Sequence, residues 1–295
     1  MKNKYYLHVF FAVLAAALYA ISSPVSKLML REVSPTIMAA ILYLGAGGGM
    51  FILGYVQKKR NKIRNEEHLT RKKLPYTIGM IVLDIAAPIF LMIGLSKTTA
   101  ANASLLNNFE IVATSIIALV IFKESISRKL WFAIGLITLS SVILSFEDMS
   151  SFQFSFGSLF VLLACLCWGF ENNCTRMMSD KDPLEIVVIK GLGSGIGSLI
   201  IGLCLQESIP SIFYVLIGML LGFISYGLSI FFYIYAQREL GAAKTSAYYA
   251  VAPFIGVGLS FVIFKEIPSI SFIIALIIMI TGAYVASSDI KEVKV

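Results

Sequence analysis

Apolar stretches of about twenty residues, separated by short charged or Gly, Pro and Ser-rich breaks, fill almost the whole chain. A bilayer core of about 30 Å takes about 20 helical residues to cross. Cutting at the polar breaks predicts ten membrane-spanning helices, at 7–30, 35–57, 75–97, 101–122, 129–146, 156–178, 183–205, 211–236, 242–264 and 270–287. The first begins behind Lys2 and Lys4, as a secretory leader would, but its apolar run to Leu30 exceeds the 7–15 residues of a leader core. It reads as an uncleaved first span of an all-α integral membrane protein.

Composition agrees: 58% of the 295 residues are hydrophobic and 14% are charged, against about 25% charged in a soluble domain. Lipid is therefore the expected surroundings of most of the surface. The net charge of +7 is concentrated in the run from Lys58 to Lys73, between the second and third spans. No aromatic residue interleaves that run, which argues against a nucleic-acid surface and for a loop beside a bilayer. With the N-terminus in the cytoplasm, 19 Lys and Arg fall inside and 4 outside, with Lys190 left within a span. That bias puts both termini in the cytoplasm of a bacterial cell, the chain crossing the inner membrane many times. Cys165, Cys167, Cys174 and Cys204 lie in apolar stretches, and His8 and His68 supply no zinc spacing. Neither a metal nor a cofactor is called for.

The second half of the chain repeats the first. At an offset of 142, Ile121-Phe122-Lys123-Glu124 overlies Ile263-Phe264-Lys265-Glu266, Ala100-Ala101 overlies Ala242-Ala243, and Ser104 overlies Ser246. At 148, Ser34-Pro35 overlies Asp182-Pro183, and Gly45, Gly47, Gly49 and Gly54 overlie Gly193, Gly195, Gly197 and Gly202; at 149, Tyr19-Ala20 overlies Trp168-Gly169. The two copies, 1–148 and 149–295, hold five spans each. An odd number inverts the second copy in the membrane, which places a site at the repeat interface and makes alternating access available by rocking one half on the other.

Two five-helix copies, each with a short loop into an Ala/Ser-rich helix that ends in a Phe-Lys-Glu turn, resemble the EamA type of the drug/metabolite transporter superfamily over residues 7–287. The resemblance implies a ten-helix transporter whose central cavity is lined by the first, third, fourth, sixth, eighth and ninth spans, and it favours export. It says little about substrate. Pro253 follows the small-residue stretch of the second copy as in the family, whereas Ile111 holds that place in the first.

An ionisable side chain deep in a span costs about 2.5–3.5 kcal/mol, so each one needs a reason. Asp84 lies nine residues past Pro75 and Glu110 nine past Ala101, each about 13 Å deep at 1.5 Å per residue. A tight loop joins their spans, so the two carboxylates are expected to be neighbours that share a cavity. Glu171 and Lys190 are level on the sixth and seventh spans, read as adjacent. Either they form a structural ion pair, or Glu171 is a substrate or proton site that Lys190 occupies or releases. Their counterparts in the first copy are Ser22 and Leu42.

Asn172 and Asn173 beside Glu171, and Asn107 and Asn108 before Glu110, are buried amides that serve interhelical hydrogen bonds or ligand contact. Tyr19, Trp168, Tyr226 and Tyr249 are candidate walls of a pathway, suited to an organic cation, although packing or interface anchoring explains such residues as well. Pro24, Pro88 and Pro253 each remove a helix hydrogen bond and free the carbonyl of Ala20, Asp84 or Tyr249. The glycines at 191, 193, 195 and 197 have no strand before them and read as packing stripes, not a phosphate loop. Lys123-Glu124 and Lys265-Glu266 read as structural turns at the membrane edge.

The reading is a secondary transporter moving a small polar organic solute. Three acids against one base in the spans favour a cationic or zwitterionic solute, an amine or amino acid, with protons as the candidate coupling ion. The expected partners are that solute and membrane lipid, in a monomer or homodimer. The alternative, an integral-membrane enzyme acting on a lipid-borne substrate, would need His, Asp or Ser clusters at the membrane surface, and none is found in the sequence.

Overall fold

The computed structural model describes residues 2–59, 67–123, 126–148, 153–178, 180–240 and 248–289. In chain order the helices are α1 (Lys2–Ala20), α2 (Ser22–Met29), α3 (Pro35–Lys59), α4 (Leu74–Lys97), α5 (Ala100–Leu106), α6 (Phe109–Phe122), α7 (Arg128–Leu144), α8 (Phe156–Arg176), α9 (Pro183–Cys204), α10 (Ile212–Gly222), α11 (Ser229–Leu240), α12 (Ala252–Phe264) and α13 (Ile270–Asp289). A two-stranded antiparallel ribbon, β1 (Phe146–Asp148) with β2 (Gln153–Phe154), links α7 to α8. The fifth apolar run thus leaves its helix at Leu144, two residues before the predicted end.

Among the described residues, seven helical stretches are long and apolar enough to cross a membrane: Tyr6–Met29, Pro35–Lys59, Arg71–Lys97, Ala100–Ile121, Phe156–Arg176, Pro183–Cys204 and Ile212–Ala236. The other three predicted spans correspond to shorter helices. α7 has 17 residues and α12 has 13, while α13 is apolar over Ile270–Ala286. The predicted start of the ninth span, 242–247, lies outside the described residues, as does Glu124 of the first edge turn.

Three spans are broken where the sequence gives a reason. Pro24 cannot donate to Ala20, and the first span divides at Ile21 into α1 and α2. Pro253 opens α12 at its first turn. The fourth span has no proline, yet it divides at Asn107-Asn108, where the chain tightens to Asn108 N–H on Leu105 O (3.2 Å), Glu110 N–H on Asn107 O (3.1 Å) and Ile111 N–H on Asn108 O (3.0 Å). Asparagine competes with the backbone for such bonds and takes over here from the missing proline. Pro88, by contrast, stays inside an unbroken α4. Between α10 and α11 the eighth span widens into a π-helical turn, Phe223–Leu228, that carries Tyr226.

The packing has a regular plan. α3 lies along α9, α4 along α8, α1 along α11, and α7 along α13. α10 also packs on α3 and α4 on α9; α6 packs on α8 and α1 on α12; α5 meets α12. If the spans are numbered one to ten, exchanging each with the one five places away maps every one of these contacts onto another or onto itself. Glycine makes the central seam close. A Cβ on Gly47 would run into the backbone of Gly191, and one on Gly45 or Gly222 would run into the backbone of Met219 or Leu42. Of these, Gly45 and Gly191 belong to small-residue stripes read from the sequence, whereas Gly222 was not singled out there. The two halves also share a detail at their edge turns, since Lys123 (φ 54°) and Lys265 (φ 52°) both end their helices in the left-handed conformation.

Candidate functional site

Two expected neighbour relations need correction. α8 and α9, the sixth and seventh spans, make no extended contact with each other; α4 lies between them and packs on both. α4 likewise meets the fourth span only through its first segment, α5, because α8 stands between α4 and α6. Asp84 and Glu110 therefore do not pair. Short loops made sequence neighbours look like spatial ones, whereas the glycine seams and the packing of the two halves decide which helices touch.

The insertion of α4 brings Asp84 to Lys190 instead. Lys190 Nζ lies 3.0 Å from Asp84 Oδ2 and 3.0 Å from Glu171 Oε1. One ammonium thus bridges two carboxylates on two other helices, and all three residues are buried, Asp84 completely. Asp84 Oδ1 accepts from Tyr43 OH (3.1 Å) and Trp168 Nε1 (3.1 Å), and Thr175 donates its hydroxyl to Glu171 Oε1. Asp84 Oδ2 has no hydrogen-bond donor beyond the charge of Lys190. With both acids ionised the knot carries one uncompensated negative charge in a dry environment. Such a charge calls for a cation or a proton.

Next to Glu171 on α8, Asn172 donates to Glu110 Oε1 at 2.6 Å. Glu110 sits in the first turn of α6, where the helix dipole favours a carboxylate. Asn173 is bound within the bundle, donating to Gly169 O (2.8 Å) and Thr114 O (3.2 Å). Asn108 donates back to Leu105 O (3.2 Å), so its amide supports the break in the fourth span and is not aimed at the knot. Asn107 Oδ1 and Ser104 Oγ are buried and unpaired and line a narrow void with Tyr19 and Pro253.

Tyrosines form a tier against the charged knot. Tyr43 and Tyr226 have ring centroids 5.2 Å apart, Tyr226 and Tyr19 5.8 Å, Tyr19 and Tyr249 5.9 Å, and Tyr249 and Tyr233 5.0 Å. Ser22 donates to Tyr226 OH at 3.1 Å, and Tyr249 OH shares a hydrogen bond with Ser229 (3.3 Å). Tyr19, Tyr226 and Tyr249 are thus brought together by ring contact, and Trp168 joins the tier through Asp84, whose Oδ1 it shares with Tyr43. Tyr43, Ser22 and Thr175 were not singled out from the sequence. For Tyr43 a signal existed, since it overlies Gly191, next to Lys190, at the offset of 148.

At one end of the bundle a cavity of about 530 Å³ opens among Lys27, Lys97, Thr98, Asn102, Glu266 and Ser269. At the other end polar ties close the loops: Lys73 reaches Met177 O and lies 3.2 Å from Asp180, Lys181 lies 2.6 Å from Glu67, and Leu69 N–H donates to Glu185 at 3.0 Å. Hydrogen bonds from Lys181, and then Lys73, hold the Asp180 carboxyl below its usual range, while Glu67 and Asp180 hold the Lys181 ammonium above its own. Among the described residues no cluster of His, Cys, Asp and Glu fits a metal ion.

The model of the EamA-like transporter family matches twice, over residues 7–146 and 155–288. The chain belongs to the EamA-like transporter family. Two relatives of this EamA chain are named uncharacterized transporters. One, from Methanothermobacter thermautotrophicus, is 27% identical over 92% of this chain and 83% of its own length. The other, YyaM of Bacillus subtilis, is 22% identical over 77% of each. A solved crystal structure, 16% identical, superposes with a TM-score of 0.68 over 98% of both chains, a likeness of fold alone. The family and its relatives are transporters, in keeping with an apolar, many-helix membrane protein.

Proposed function

We propose that this EamA chain is an alternating-access secondary transporter that exports a small cationic or zwitterionic organic solute, an amine or amino acid, in exchange for protons. It crosses the bacterial inner membrane ten times as two inverted five-helix halves, 1–148 and 149–295, with both termini in the cytoplasm. The exchange symmetry of the helix packing supports the inverted halves, because a pseudo-two-fold axis in the membrane plane generates that pattern of pairs. The balance of Lys and Arg supports the orientation.

The observation that carries the reading is Lys190 bridging Asp84 and Glu171 in the centre of the bundle. Two carboxylates sharing one ammonium leave room for a second cation, and an incoming amine competes with Lys190 for Asp84 Oδ2. The tyrosine tier gives that amine a π-face on which to rest while it sheds water. Glu110, held by Asn172 beside Glu171, is close enough to feel the knot and far enough to take its own proton. Binding at the knot loosens the α4, α8 and α9 contact, and the two halves rock about the glycine seam of α3 and α9.

Uptake into proteoliposomes of labelled amino acids and amines, with and without an imposed pH gradient, tests the reading. Accumulation driven by the gradient for an amine or amino acid is the expected result. Gradient-independent leakage of every solute, or transport confined to anions, contradicts it.

A further inference from the structure

The end cavity has a charge opposite to that of the central knot. Among its described lining residues are two ammonium groups, Lys27 and Lys97, and one carboxylate, Glu266. Lys27 is half-buried at the foot of α2 and gives two of its N–H donors to Leu95 O (2.6 Å) and Ser96 O (3.3 Å) at the end of α4. Those carbonyls orient the ammonium without neutralising it. Among the described residues no carboxylate lies within ion-pair distance; Glu266 is within electrostatic reach only. A lysine has three donors, so one remains for the cavity. Thr98, Thr99, Ser269 and Ser271 add hydroxyls around it, and the volume of about 530 Å³ suits a small organic molecule.

We infer that this cavity is a second binding site in which Lys27 takes the carboxylate of a zwitterionic solute and Glu266 faces its ammonium. The inference rests on the proposed function and narrows it: a molecule with both charges is served at both stations, whereas a plain amine meets net positive charge at the mouth. Lys27 acts there as a substrate-binding residue as well as a cap on α4.

One test needs no substrate. In the full chain, reconstituted and carrying Cys204→Ser, a Ser96→Cys reporter beside Lys27 is labelled with an anionic sulfonatoethyl and a cationic trimethylammonioethyl methanethiosulfonate. The anionic reagent is expected to gain roughly fivefold over the cationic one relative to free cysteine, a modest local potential, and Lys27→Gln is expected to remove the gain. An unchanged ratio in Lys27→Gln overturns the inference and leaves the central knot untouched. The second test compares uptake of tyrosine with tyramine and of histidine with histamine. Lys27→Gln should raise the KM of the amino acid about tenfold, one lost charged contact, spare its amine, and be rescued by Lys27→Arg. Equal losses for both members make Lys27 a cap alone and overturn the inference. If the wild type carries neither member, the proposed solute class and this inference fall together.

Discussion

The same layer of the bundle is built twice with different chemistry. In one cluster Asp84 of the first repeat joins Glu171 and Lys190 of the second in a charged knot; in its counterpart the equivalent positions are Tyr226 of the second repeat and Ser22 and Leu42 of the first. There, Ser22 donates to Tyr226 OH at 3.1 Å and Leu42 is fully buried beside them. The backbone plan is common to both, so the neutral cluster shows that packing needs no charge at this depth. A buried ion pair is weak evidence for stability. The charges of the knot therefore point to a task, and the proposed transporter, rocking about a symmetric frame, needs one asymmetric place to hold its cargo.

Lys190→Met makes the comparison fail most severely. It leaves two buried carboxylates facing each other, and removing one partner of a buried pair costs about 3–5 kcal/mol. Thermal unfolding in detergent should show a large loss of stability or no folded protein. The triple variant Asp84→Asn, Glu171→Gln, Lys190→Met imitates the neutral cluster and should recover most of that stability while transporting nothing. If the triple variant is as unstable as the single one, the charges hold the fold together and the functional argument fails.

Glu171→Gln alone keeps the shape and the Thr175 contact. It is expected to fold, to retain the Asp84 to Lys190 pair, and to lose uptake by about a hundredfold, as when an interaction of about 3 kcal/mol made only on the productive path is removed. Wild-type rates in that variant move Glu171 to a purely structural role. Glu110→Gln is the milder companion: uptake continues, but its acceleration by an imposed pH gradient disappears. An unaltered response to the gradient removes Glu110 from proton coupling.

Part of this site was legible before any coordinates. The depth of Glu171 and Lys190, counted from the ends of their spans, made them level, and they meet at 3.0 Å. The place of Asp84 was not legible. Depth along a helix follows from 1.5 Å per residue, but which helix stands next to which follows from side-chain volumes at the seams. The glycines of α3 and α9 draw those helices together and so leave α4 between α8 and α9. The break in the fourth span was not legible: Ile111 in place of proline pointed against a kink there, and the Asn107-Asn108 pair that makes it was noted for other reasons. The π turn at Tyr226 has no sequence signal beyond the flanking Gly222 and Gly227.

Hydroxyl deletions rank next and differ between the two clusters. Tyr43→Phe strips a donor from a buried carboxylate and should cost about 1.5–3 kcal/mol, whereas Tyr226→Phe breaks a neutral bond to Ser22 and should cost about 1 kcal/mol. Unfolding of the two variants side by side checks the order. A larger loss for Tyr226→Phe means that the neutral cluster is the more tightly specified one.

The smallest effect is expected at the loop ends, where the asymmetry recurs in weaker form. At one end Glu207 accepts from Ile37 N–H at 2.9 Å; at the other Glu185 accepts from Leu69 N–H, and the ties of Glu67, Lys181, Asp180 and Lys73 are added. Asp180 is held below the usual carboxylate range, so its contribution is complete above that range and is lost as pH falls through the lowered value. Lys181 is held above the usual lysine value, so its contribution is complete below that value and is lost as pH rises through the raised one. Between about pH 5 and about pH 9 these ties therefore add a constant term. Asp180→Asn should lower Tm slightly and evenly across that window, and salt should erase the difference because the Asp180 side chain is 56% exposed. Uptake should be unchanged. A pH-dependent loss of Tm inside the window, or a loss rivalling that of Lys190→Met, would place the decisive charges at the loop ends and not in the buried knot.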